Sequence, residues 1–225
     1  MADRSPADDA AGDRLGLDVA CLWLPNAPLT LISTAGHHCE VWRSVGRLVR
    51  TGASDGIDIV LKRHREPCTL EQARCYGRDY LELRAALGDI VPPARFVVTE
   101  VQGEASVVVL ARTCVPWFDL ARPGNAEEAV PMLARMPRAR AQLRHFVDTA
   151  RAWRDARDAR VIDLFGVANL VLDTTHSVRY LDSFGVFFYP DLLHAVAEPD
   201  PALVHRIEVS LARLDYLAEL CSEVG

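Results

Sequence analysis

The chain lacks any apolar run approaching the ~20 residues that span a bilayer, so no membrane-crossing helix is expected and a membrane is not an expected partner. It lacks a surplus of positive charge: 25 lysines and arginines against 31 aspartates and glutamates leave a formal charge of −6. That balance argues against the basic stripe that nucleic-acid binding uses. Paired cysteines are missing too. Cys21, Cys39, Cys68, Cys75, Cys114 and Cys221 include no C-x-x-C pair and no zinc-ligand spacing. The opening stretch "MADRSPADDAAGDRLG" has no apolar core of the kind a signal peptide carries. Without an export signal a disulfide framework is not expected, and the cysteines read as small apolar residues in a reducing cytoplasm. Residues 1–19 read as a flexible acidic tail with few groups to offset their ordering entropy. No internal repeat or low-complexity array is found.

What is present is a chain of 225 residues, half of them apolar, long enough for one sizeable core or two small lobes. From Leu29 to about Arg112 the signals are mostly those of strands. "PLTLIS" precedes a small-residue turn at Ala35-Gly36, and "EVWRSVGRLV" follows it. The turn formers of "TGASDG", Thr51 to Gly56, would join two antiparallel strands. In "IDIVLK", Ile57, Ile59 and Leu61 fall on one face, and Asp58, Val60 and Lys62 on the other. A helix fits "TLEQARCYGRDYLELRAAL", with Thr69 as its N-cap and Gly77 as a weak point, and "VPP" at Val91 to Pro93 ends it. A hairpin follows, "RFVVTEV" and "SVVVLAR" around "QGEA".

After Arg112 the period changes. Asn125 with Glu128 has the spacing of a capping box. "RAQLRHFVDTARAWRDARDA" is an amphipathic helix with Leu143, Phe146, Val147, Ala150 and Trp153 on one face. Two short apolar strands flank "DTTHS"; Asn169 enters the first, and Asp182 closes the second, ahead of Ser183-Phe184-Gly185. A last helix begins after Pro199, with Leu203, Ile207, Leu211 and Leu214 in register. Strands first and helices later predict an α+β chain in two lobes, 20–112 and 113–225.

This order of elements resembles the protein-kinase-like fold from roughly Leu31 to Phe188. Four local patterns are similar to the small bacterial family typified by the PhoP regulatory network protein YrbL: "AGHHCEVW", "LKRH", "DLFGVANLVL" and "YLDSFG". The resemblance implies a β-rich N-lobe, a truncated helical C-lobe and a site for ATP and Mg²⁺. Gly36 would lie in the nucleotide-covering loop, where His37 and His38 stand either near phosphate or at an exposed strand edge. Val60 would touch adenine, and the Lys62 amine would reach the α- and β-phosphates. Glu71 is the choice for the acid that pairs with this lysine; Asp79 and Glu82 are the alternatives. Asp182, a carboxylate after an apolar strand and ahead of Ser-Phe-Gly, would hold Mg²⁺, and Asn169 would sit beside it with its side-chain oxygen available to a second metal.

The resemblance also implies an aspartate base five residues before Asn169 and a cation two residues after that base. Those positions are Leu164 and Gly166 here, and the nearest acid is Asp163. A shift of one residue along an extended segment turns a side chain to the opposite side. Either an extra residue in the loop restores the aim of Asp163, or the position has no base. About 40 residues follow Gly185, too few for the activation segment and full helical lobe of a kinase acting on proteins. If active, the chain is expected to be an ATP-dependent phosphotransferase in bacterial regulation, with an unknown acceptor or regulatory partner. A catalytically impaired pseudokinase scaffold and an unrelated α+β binding module stay open as alternatives.

Overall fold

The computed structural model describes residues 29–34, 36, 38–50, 53–101, 103–194 and 198–225. The expected acidic tail lies outside them. The N-terminal part is built on alternation. β1 (Leu29–Ser33), β2 (Cys39–Arg50), β3 (Ala53–His64), β4 (Ala94–Val101) and β5 (Glu104–Arg112) form one sheet in the order β1-β2-β3-β5-β4. Every pairing in it is antiparallel. The β2–β3 turn is tighter than expected: Arg50 already pairs with Ala53, so Ala53 to Gly56 belong to the strand. Ladder hydrogen bonds outweigh the turn propensity of "SDG" there. The β4–β5 turn is shortened in the same way, with Val101 paired to Glu104.

α1 (Leu70–Leu87) crosses between β3 and β4. It starts at a complete capping box. The Gln72 amide N–H donates to Thr69 Oγ1 at 3.2 Å, and the Thr69 N–H donates to Gln72 Oε1 at 2.9 Å. These bonds satisfy two donors that a helix start leaves open. Gly77 does not break the helix. It lies on the buried face with Ala73, Tyr80, Leu83 and Leu87, where a small residue fits close packing.

The C-terminal part mixes helices with short antiparallel ribbons. β6 (Pro116–Asp119) precedes α2 (Ala126–Ala134) and α3 (Pro137–Arg154), and then come β7 (Val161–Ile162), β8 (Leu170–Asp173), β9 (Val178–Tyr180) and β10 (Phe187–Phe188). The short α4 (Asp191–His194) and the long α5 (Pro201–Glu223) complete the chain. β6-β8-β9 form one sheet and β10-β7 another. The expected capping box at Asn125 does not form. Its side chain donates instead to the Asp119 carbonyl at 2.9 Å, a tertiary acceptor that competes with the local one. The apolar stripe of α3 is buried as patterned, from Leu143 to Ala150, with Trp153 partly buried. The architecture is α+β. Among the described residues, no helix is long and apolar enough to cross a membrane.

Candidate functional site

Two strands bring the lysine and the second aspartate together. Val60 and Lys62 alternate on β3, so both point to the side of the sheet that faces the segment after β9. Val60 is buried. The Lys62 amine donates to the Leu181 carbonyl and, at 3.0 Å, to Ser183 Oγ. Asp182 lies between those two contacts. Its Oδ1 accepts the N–H groups of Ser183 (2.7 Å) and Phe184 (3.3 Å), an Asx turn that fixes the carboxylate at the strand end.

Asn169 joins Asp182 to Asp163. Its amide nitrogen donates to Asp182 Oδ2 at 3.3 Å and to the Asp163 carbonyl at 3.1 Å. The Asn169 oxygen is thereby turned toward Gly166, where an added Cβ would stand 2.8 Å from the amide carbon. Only glycine allows that approach. In this geometry Asn169 is a brace between the two aspartates.

The loop from Asp163 to Asn169 is tied to several other elements. Leu164, five residues before Asn169, is buried apolar packing. Asp163, six before it, accepts from the Asn169 amide through its backbone carbonyl. Ala168 takes a left-handed turn (φ 58°), and its N–H donates to Asp119 Oδ2 at 3.1 Å. The rest of the loop is held as thoroughly. The Phe165 N–H donates to Asp163 Oδ1 (2.8 Å), Tyr180 Oη to the Asp163 carbonyl (2.9 Å), and the Leu164 N–H to Ser210 Oγ (3.1 Å). Arg213 donates to the carbonyls of Leu164, Phe165 and Gly166.

The Asp163 carboxylate is buried and meets one cation. Arg206 donates to its Oδ2 at 3.0 Å and to His38 Nε2 at 3.0 Å. The same guanidinium lies 4.9 Å from the Phe188 ring and 5.9 Å from that of Phe165. Burial, and then the negative charge of Asp182, push the Asp163 carboxyl up to about 6; the Phe165 N–H and Arg206 offset only part of that rise. The Cys39 thiol is pushed up to about 11 by burial, which keeps it an inert packing group.

The remaining expected residues are placed as follows. At Gly36 an added Cβ would stand 2.9 Å from the Cys39 carbonyl oxygen, so the β1–β2 connection needs glycine there. His37 lies outside the described residues. Glu71 sits exposed in the first turn of α1, away from the buried face, and makes no ion pair with Lys62. Glu82 pairs with Arg160, and Asp79 accepts from Arg78 and Tyr189. Where α1 meets the Asp182 segment it presents Tyr76, packed against His64 (5.5 Å) and Phe184 (5.5 Å). The sheet thus offers Lys62 no acid from α1, and Leu181 and Ser183 take that place. Among the described residues no group of three His, Cys, Asp or Glu side chains is arranged to hold a metal ion. A cavity of about 660 Å³ is lined by Trp153, Arg157, Arg160 and Tyr189 and includes none of the site residues above.

Sequence reasoning missed Arg206, Ser210 and Arg213. They recur at i, i+4 and i+7 on α5, a polar stripe beside an apolar one, and that spacing was the available signal. No protein-family model matches the chain, and no curated protein matches it.

Proposed function

We propose that the chain is a small kinase-like protein of two lobes that binds Mg²⁺·ATP and transfers a phosphoryl group to an acceptor hydroxyl. One observation carries this reading: Lys62, Ser183, Asp182, Asn169 and Asp163 form a continuous hydrogen-bonded or chain-linked series between the five-stranded sheet and the C-terminal elements. Polyphosphate binding needs a fixed cation and a carboxylate for the metal, and phosphoryl transfer needs little more than positioning around them. Val60 would pack on the base, and Lys62 would exchange the Leu181 carbonyl for phosphate oxygens. Asp182 fits Mg²⁺. Each carboxylate oxygen has two lone pairs and spends one or two on the donors described, and Mg²⁺ commonly takes one or two carboxylates with phosphate oxygens completing its shell. When bound, the ion neutralises charge on those oxygens. Asp163 would accept the proton of the acceptor hydroxyl, a role that a carboxyl near pH 6 suits and that contributes about 10²–10⁴-fold.

A second reading has its own support. Lys62 is held by Leu181 and Ser183 and has no acid from α1, an arrangement suited to a nucleotide-binding regulatory scaffold without turnover. Thermal unfolding with Mg²⁺·ATP tests the shared premise. Ligand at a hundredfold over Kd should raise the midpoint by roughly 5–10 °C, and Asp182→Ala should abolish the rise. No shift in the parent removes nucleotide binding from both readings. Phosphoryl transfer that falls about 10²–10⁴-fold in Asp163→Asn, with the thermal shift retained, selects the enzyme over the scaffold.

A further inference from the structure

α5 brings a second buried cation to the proposed nucleotide cleft. Arg206 is 12 % exposed, and its Nε is buried without a hydrogen-bond partner. A buried N–H left unpaired is costly, and an anionic ligand oxygen would relieve it. Two aromatic rings bracket the guanidinium and limit the orientations it can take. A guanidinium has no acceptor, so in the 3.0 Å contact Arg206 is the donor and His38 Nε2 the acceptor. Arg206 and Lys62 each place a positive group in side-chain bonds to this cluster.

Their positions differ. Lys62 contacts residues 181 and 183. Arg206 lies at the other end of the same segment, because its partner His38 has its ring 3.4 Å from where a Cβ on Gly185 would stand. On its other side Arg206 touches Asp163, the group placed to meet the acceptor. A row of phosphates that begins at Lys62 and passes Asp182 would end beside Arg206. Resting on the nucleotide-binding reading above, we propose that Arg206 binds the outermost phosphate of a nucleoside triphosphate and so distinguishes it from the diphosphate. The contact would use Nε, together with the donor now given to His38, while Asp163 keeps its ion pair.

Equilibrium binding of Mg²⁺·ATP and Mg²⁺·ADP to the full chain tests this, with the parent, Arg206→Ala, Arg206→Lys and Asp182→Ala compared. Arg206→Ala should weaken ATP by about tenfold or more while ADP changes less than about threefold, and Arg206→Lys should recover part of the ATP loss. Retained ADP affinity shows that the variant is folded; should alanine unfold the chain, the lysine variant alone must still lose ATP relative to ADP. Equal losses for both nucleotides, or none, overturn the role of Arg206 and leave nucleotide binding standing, provided that Asp182→Ala abolishes it. A parent that binds neither nucleotide overturns both proposals.

Discussion

At Asp163, burial and a neighbouring carboxylate outweigh an ion pair, and the consequence is a pH dependence of stability. The folded carboxyl is raised to about 6, against an unfolded value of about 3.9. Between those values the folded chain holds the proton more tightly than the unfolded one, so stability falls as pH rises. The protonated group contributes fully below about pH 4, and that contribution is gone above about pH 6. Compared with Asp163→Asn, which does not titrate, the parent should lose roughly 3 kcal/mol of unfolding free energy from pH 4 to 7. Urea denaturation across that range measures it, and a constant difference would remove burial as the dominant influence. Ala168 offers a complementary test on the backbone. A non-glycine residue at φ 58° carries about 1–2 kcal/mol of strain, so Ala168→Gly should stabilise the fold by roughly 1 kcal/mol after the entropy of the added glycine. A destabilised variant would mean that the alanine methyl packs better than the backbone strain costs.

α5 is the element that makes the loop. Arg213 spans three successive carbonyls, and Ser210, itself fully buried, takes the Leu164 N–H. Arg213→Ala should cost roughly 1.5–3 kcal/mol, since a charged donor is removed from partly buried acceptors. Hydrogen exchange should show faster opening confined to residues 163–169. A loss spread evenly over the chain, or no loss, would mean that the loop stands without α5. This is also where sequence reading met its limit. The strands of the large sheet, α1 with its Thr69 cap, and α3 were legible because alternation and helical periodicity are local. Lys62, Asn169 and Asp182 stood out because the short patterns around them resemble those of a kinase-like family. The bonds from Arg206, Ser210 and Arg213 span more than 40 residues of chain and leave no local spacing near the loop. The lysine's acid was illegible for a different reason. α1 carries three candidate acids, and which face meets the sheet is decided by packing at Ala73, Gly77 and Tyr80. That Leu164 stands five residues before Asn169 was visible, but the left-handed turn at Ala168 is tied to Asp119, from another strand.

Across the whole molecule the N-terminal sheet and the C-terminal helices share the larger of two apolar clusters, the smaller being Val161, Phe188 and Ile207. A single buried cluster runs from Cys39 on β2 through Leu83 on α1, Val109 on β5, Phe146 on α3 and Leu172 on β8 to Leu220 on α5. Phe184 sits within it, 6.1 Å from the Phe96 ring of β4 and 5.1 Å from the His64 ring of β3, directly after the Asp182 turn. Arg160 adds a second tie, stacked 5.1 Å from Trp153 and 4.9 Å from Phe187 while paired with Glu82 of α1. Chains above about 150 residues often unfold in steps, each step following a separate core. A core that is continuous through the site predicts the opposite here. Hydrogen exchange pulsed at increasing urea should give one midpoint for peptides of β3 and β5 and for peptides of α3 and α5. Phe184→Ala should lower stability by about 3–5 kcal/mol, as for other large buried aromatics. It should also split the transition in two, because the removed ring is where the sheet and the Asp182 segment meet. If the parent already shows two midpoints, the sheet and the helical part hold separate cores, and the site forms only where two independently stable units touch.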